Sequence, residues 1–182
     1  LAEAYALRAY AYFDLVNLYG KPYNSATAST DKGVPLNLKV DLEATLKPSS
    51  VQEVYNHIES DLAQATKLMK MDQQLAGLNY RFSNVALNAL EARIALYKNE
   101  WQKAIDFSDS TLKIKGDLVN LNTTKQVPNH YKSAESILAL DNTLNPAVQY
   151  MAYVSPELLS SYDTQNDLRF PLYFEKSGSK YK

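Results

Sequence analysis

The tightest constraint on this chain lies in its middle. There NVALNALEARIALYK (84–98) meets WQKAIDFSDSTLKI (101–114) with only Asn99 and Glu100 between them. Both flanks have helical periodicity. Leu87, Leu90, Ile94 and Tyr97 line one side of the first, while Ala86, Ala89, Ala92 and Ala95 keep its other faces thin for close approach. Trp101, Ala104, Ile105, Ser108 and Leu112 stand at helical spacing in the second. So brief a connection forces the helices to run antiparallel, as an αα-hairpin.

A second helical pair is split by a long insertion. The opening LAEAYALRAYAYFDLVNLYG (1–20) carries two apolar stripes, Tyr5, Ala9, Tyr12, Val16 and Tyr19 on one and Leu7, Ala11, Leu15 and Leu18 on the other. Two stripes predict a helix covered on most of its circumference, with the three tyrosines of the first stripe in the core. Arg8 falls on the apolar side and should either snorkel or pair with a carboxylate. Gly20 marks the helix end. Residues 21–48 contain Pro22, Gly33, Pro35 and Pro48 and lack helical periodicity, which predicts a long loop of the kind that often carries function. Ser50 and Glu53 have capping-box spacing, and Val51, Val54, Ile58, Leu62, Ala65 and Met69 then form one stripe. His57 lies off that stripe, four residues from Glu53 and from Asp61, and reads as solvated helix surface.

After residue 116 the pattern changes to Asn, Thr, Pro and Lys. SILAL (136–140) reads as a short strand or a buried extended piece. Ser155-Pro156-Glu157 predicts an N-cap with Pro at the first helical position, opening a short helix through Tyr162. LRFPLYF (168–174) contains Pro171 and is at best an edge strand. The closing SGSKYK reads as a frayed polar end. The whole is expected to be mainly α, a tetratricopeptide-like helical-repeat scaffold with long irregular loops and little β. In that division 1–182 is a single fragment, with helical-repeat pairs over 1–115 and a loop-rich segment over 116–182 that holds a short helix near 156–162.

Composition excludes several functions. A net charge of −1 offers no basic face for nucleic acid or an anionic membrane surface. No run approaches the roughly 18 uncharged apolar residues of a membrane span. With no cysteine there is neither a disulfide nor a thiolate metal site. Only two histidines occur, His57 and His130, in unrelated contexts, so no metal ligand set and no His-based acid–base site is nominated. Phosphate-binding Gly-rich loops and the G-x-S-x-G elbow are missing too. No catalytic residue and no cofactor is assigned. The 14 tyrosines, against 5 Phe and 1 Trp, are the outlying number, because a ring with a wet hydroxyl suits interfaces and polar ligands as well as packing.

Ala92 and Ala104 fill the small-residue positions of a tetratricopeptide repeat and Trp101 an aromatic one, which assigns Trp101 to the core; Ser108 stands where a large aromatic is usual. RAYAYFDLVNLYG (8–20), PSSVQEVYNHIESDLAQATKLM (48–69), NVALNALEARIALYKNEWQKAIDFSD (84–109), ESILAL (135–140) and SPELLSSYDTQNDLRFPLYF (155–174), in this order and spacing, resemble the SusD/RagB-like family of outer-membrane nutrient-binding lipoproteins of Bacteroidetes. The resemblance implies non-catalytic capture of an oligosaccharide or polysaccharide at the cell surface, and delivery to a SusC-like TonB-dependent outer-membrane transporter. It also implies a longer parent, lipid-anchored outside this stretch, in which the opening helix is internal and covered by neighbours. A different class of function is a helical-repeat adaptor that binds a peptide or partner protein in a concave groove. A glycan platform needs exposed aromatic faces beside amides or charges, on loops rather than helix stripes. Tyr23 with Asn24 in the first loop, and Gln149 and Tyr150 with Tyr153 in NPAVQYMAYVSP, meet that requirement. Asp167 and Arg169 read as a structural pair or turn anchor.

Overall fold

The computed structural model describes residues 1–182 apart from 40–42, 44, 76, 126, 129 and 141–151. It divides into two compact units, Leu1–Leu75 with Arg81–Gly116, and Ala76–Tyr80 with Asp117–Lys182.

The first unit is helical: α1 (Ala2–Tyr19), α2 (Val51–Leu68), α3 (Asn84–Tyr97) and α4 (Trp101–Ile114). The predicted capping box starts α2. Ser50 Oγ accepts from the Glu53 N–H at 3.2 Å, and the Ser50 N–H donates to the Glu53 carboxylate at 2.7 Å. The α2 stripe is as expected, with Val51, Val54, Ile58, Leu62 and Ala65 buried, and Tyr55 and Asp61 join it. Between α3 and α4 the chain reverses at Asn99, whose φ of +61° is left-handed, a region Asn enters more readily than most residues. Residues pair in opposite order along α1 and α2: Arg8 meets Asp61, Tyr12 meets His57, and Asn17 meets Tyr55. These two helices are therefore also antiparallel. The loop that joins them is docked onto the start of α2. The Gly33 N–H donates to the Ser49 carbonyl at 2.8 Å and the Gln52 N–H to the Ala28 carbonyl at 2.9 Å. A Cβ at position 33 would lie 3.2 Å from Ser49 O and Val51 N, so the close approach depends on glycine.

Three expectations fail here. In α1 the core stripe is Ala6, Ala9, Phe13 and Val16; Tyr5 and Tyr12 are only half-buried and Tyr19 is 71% exposed. The second stripe is uncovered, with Leu7, Leu15 and Leu18 exposed. The main neighbour of α1 is α2, which can bury only one stripe, and the small Ala6 and Ala9 let it come closest there. His57 is not solvated surface. Its side chain is 15% exposed, edge-on to Tyr12 with ring centroids 5.6 Å apart, and its Nε2 is buried 3.4 Å from Asp61 Oδ2 without a hydrogen bond. Trp101 is 59% exposed rather than core, because α4 buries only Ala104 and Thr111 and turns Trp101, Ile105 and Leu112 outward.

The second unit is loop-rich. Asn79 anchors it, donating through Nδ2 to the Tyr131 carbonyl at 2.6 Å and to Ser136 Oγ at 2.9 Å, while its own carbonyl accepts from the Ala139 N–H. SILAL is thus an extended, half-buried piece rather than a strand. Ser155 caps α5 (Pro156–Ser160), its Oγ accepting from the Leu158 N–H. Two further readings are corrected. LRFPLYF forms no edge strand but a helical turn, α6 (Phe170–Tyr173), where Pro171 costs nothing because a first-turn N–H has no intrahelical acceptor. The polar end is ordered as a hairpin, β1 (Lys176–Ser177) against β2 (Lys180–Tyr181), turning at Gly178 with φ +65°. An aromatic cluster of Tyr162, Phe170, Phe174 and Tyr181 holds these elements together, with centroids 5.1–6.3 Å apart. Asp167 and Arg169 do form a structural pair, at 2.6 Å, with the guanidinium over the Tyr162 ring.

Candidate functional site

Of the five residues nominated as ligand contacts, Tyr23 and Asn24 belong to the first unit and Tyr153 to the second; Gln149 and Tyr150 lie outside the described residues. Tyr23 is half-buried and already engaged. Its hydroxyl donates to Gln52 Oε1 at 2.8 Å, its ring stands edge-on to Tyr55 at 4.9 Å, and the Lys98 ammonium lies 5.4 Å from its centroid. Tyr55 continues the chain by donating to Asn17 Oδ1 at 3.1 Å; burial pushes its hydroxyl pKa up to about 12, so it stays a donor. Asn24 is exposed and shapes the loop: its Oδ1 accepts from the Ala26 N–H and its carbonyl from Ala28.

Tyr153 is built differently. Its ring is 47% exposed, and two ammonium groups approach it, Lys180 Nζ at 4.9 Å and Lys182 Nζ at 5.2 Å from the centroid. The Val154 N–H donates to the Tyr181 carbonyl at 2.9 Å, which lays this segment beside β2. An exposed aromatic face with charged groups at its margin can stack on the C–H face of a sugar and hydrogen-bond its substituents.

A concavity that sequence reasoning missed lies between α2, α3 and α4. It encloses about 220 Å³ and is lined by Glu59, Leu62, Glu91, Ile94, Lys103 and Phe107, among others. Lys98 pairs with Glu59 and, at 2.9 Å, with Glu100, which in turn holds Lys103 at 2.7 Å. Glu91 faces this ladder with its pKa pushed up to about 6, by burial first and by the Glu59 charge second. Its residues come from three helices, so no linear motif announces it. Among the described residues no group of three or more His, Cys, Asp or Glu could hold a metal ion, and no helix is long and apolar enough to cross a membrane.

Packed antiparallel helix pairs followed by a loop-rich unit define a tetratricopeptide-like, mainly α scaffold. Residues 1–96 match the SusD-like family described as "Starch-binding associating with outer membrane", and the chain belongs to that family. The SusD-like protein P38 of Formosa agariphila is 37% identical over 108 residues, covering 57% of this chain and 18% of that protein. Among solved structures, a SusD superfamily protein of Bacteroides thetaiotaomicron is similar with a TM-score of 0.67 at 26% identity, over 78% of this chain and 31% of that one. One from Bacteroides fragilis has a TM-score of 0.61 at 30% identity, over 78% and 32%. A laminarin-binding SusD-like protein has a TM-score of 0.58 at 28% identity, over 75% and 29%. The chain thus spans under a third of these solved proteins and under a fifth of the Formosa protein.

Proposed function

We propose that this protein captures oligosaccharide or polysaccharide without cleaving it, at the bacterial cell surface, and hands it to a SusC-like TonB-dependent transporter. The two units belong to one SusD-like domain of a lipid-anchored parent. The observation that carries this reading is the match of residues 1–96 to a starch-binding, outer-membrane-associated family. The laminarin-binding relative supports a glycan ligand. The proposed ligand contacts are Tyr23, Asn24, Gln149, Tyr150 and Tyr153. Tyr153 has the strongest support, since its ring is exposed while the hydroxyl of Tyr23 is already bonded to Gln52.

Calorimetry or affinity electrophoresis with starch and laminarin tests the proposal. Binding that weakens in Tyr153→Ala supports both the ligand class and the contact. Binding unchanged in Tyr153→Ala and Tyr23→Ala would refute these contacts and leave glycan capture standing. Binding of peptides but of no glycan would replace it with the adaptor function.

A further inference from the structure

We propose that Tyr153, Lys180 and Lys182 form a subsite for an acidic sugar, one that carries a carboxylate or a sulfate. This rests on the glycan-capture reading and names the substrate class at one of its contacts.

Successive side chains of extended chain point to opposite sides, so Lys180 of β2 and Lys182 just after it lie on one side and Tyr181 on the other. Tyr181 turns into the aromatic cluster, its ring 5.4 Å from Phe170. Its carbonyl accepts from the Val154 N–H, which fixes the backbone next to Tyr153 alongside the strand. Glu175 and Lys182 exchange two main-chain hydrogen bonds of 2.9 Å, so position 182 is held in the ladder. The left-handed Gly178 makes the turn that this pairing needs. Two ammonium groups consequently converge on one exposed ring, at 4.9 and 5.2 Å from its centroid.

These cations decide which sugar the ring favours. Lys180 forms no ion pair with a carboxylate of the described residues. In the same unit, Asp167 is paired with Arg169, and Asp163 with Asn166 and the backbone N–H of Gln165. A neutral sugar stacking on Tyr153 displaces an ammonium from the ring face and forfeits the cation–ring attraction without replacement. An acidic sugar restores it: its anion receives the ammonium as its ring receives Tyr153. The four-carbon stem of Lys180 lets its charge swing from ring to anion without moving the backbone.

Binding of the full chain to alginate, dextran sulfate and laminarin, compared at one ionic strength, tests this. Alginate or dextran sulfate should bind about three- to tenfold tighter than laminarin, the worth of one or two exposed ion pairs. Which polyanion binds tighter distinguishes a carboxylate from a sulfate as the preferred group. The preference for the polyanions over laminarin should vanish in K180Q/K182Q and persist in K67Q as a control for charge alone. Equal or tighter binding of laminarin, a preference that survives K180Q/K182Q, or an equal loss in K67Q overturns the proposal and leaves glycan capture intact. Failure to bind any of the three, or starch, sinks glycan capture itself and this subsite with it.

Discussion

Arg8 and Asp61 share an ion pair but not its risks. Arg8 Nε and Nη2 donate to the two carboxylate oxygens at 2.6 and 2.7 Å, in the bidentate geometry that guanidinium favours. Asp61 is nearly inaccessible, at 4% side-chain exposure, whereas Arg8 keeps 38% and also lies over the Tyr5 ring. Removing the arginine strands a buried carboxylate. Removing the carboxylate leaves a cation that reaches water. Arg8→Ala should therefore cost about 3 kcal/mol and Asp61→Ala about 1 kcal/mol in urea unfolding; equal losses would contradict this division. Glu91 makes the opposite point, since burial and the Glu59 charge disfavour its ionised form. Its folded pKa of about 6 exceeds the usual 4.5, so its contribution is fully present below pH 4.5 and lost as pH rises to about 6. Glu91→Gln should accordingly stabilise the protein at neutral pH by up to about 1 kcal/mol, once solvent screening is allowed for. The gain should shrink to nothing by pH 4, and a pH-independent difference would exclude titration as its cause. Arg8 was legible as a residue seeking a carboxylate; Asp61 as its partner was not, because the two lie 53 positions apart.

At the scale of elements, local signals and neighbour-dependent ones part company. The Ser50–Glu53 box, the Ser155 cap and the Asn99-Glu100 turn were readable because each is settled within a few residues. Pro171 misled in the other direction. It disfavours a strand wherever it stands, yet whether a helical turn replaces the strand depends on Phe170 docking among Tyr162, Phe174 and Tyr181. Trp101 was misassigned because helical periodicity identifies an apolar face without saying what covers it. With the ring 59% exposed at the start of α4, its fluorescence should be red-shifted and readily quenched by acrylamide. Trp101→Ala should change unfolding stability by no more than about 0.5 kcal/mol. A blue-shifted, protected emission would show that the outward face of α4 is covered in solution.

Considered whole, the molecule combines a helical unit with a loop-rich unit, and the candidate ligand contacts among the described residues, Tyr23, Asn24 and Tyr153, lie outside the helices. The concavity between α2, α3 and α4 does bring the carboxyls of Glu91 and Glu59 to one lining, with the Glu91 pKa raised, and a pair of carboxyls is what a glycosidase uses. Here Lys98 holds Glu59 within an ion-pair ladder, and side chains such as Leu62, Ile94 and Phe107 supply apolar walls. The protein should release no reducing sugar from starch or laminarin over prolonged incubation, as read by chromatography. Release abolished by Glu91→Gln would overturn the non-catalytic assignment.

The sequence by itself determined helices α1 to α5, the antiparallel hairpin, the capped starts of α2 and α5 and the family, since each follows from order and spacing along the chain. Tertiary structure decided which face of each helix is used. In α1 the buried line runs through Ala6, Ala9, Phe13 and Val16, leaving Tyr5 and Tyr12 half-buried and Tyr19 exposed, because α2 is the main neighbour of α1 and covers one face. It also decided which tyrosines stay available: Tyr23 was absorbed by Gln52 and Tyr55, while Tyr153 was left open beneath Lys180 and Lys182. Periodicity is a property of one element, but burial and the charges around a ring belong to contacts between distant segments, and those exist only once the chain has packed.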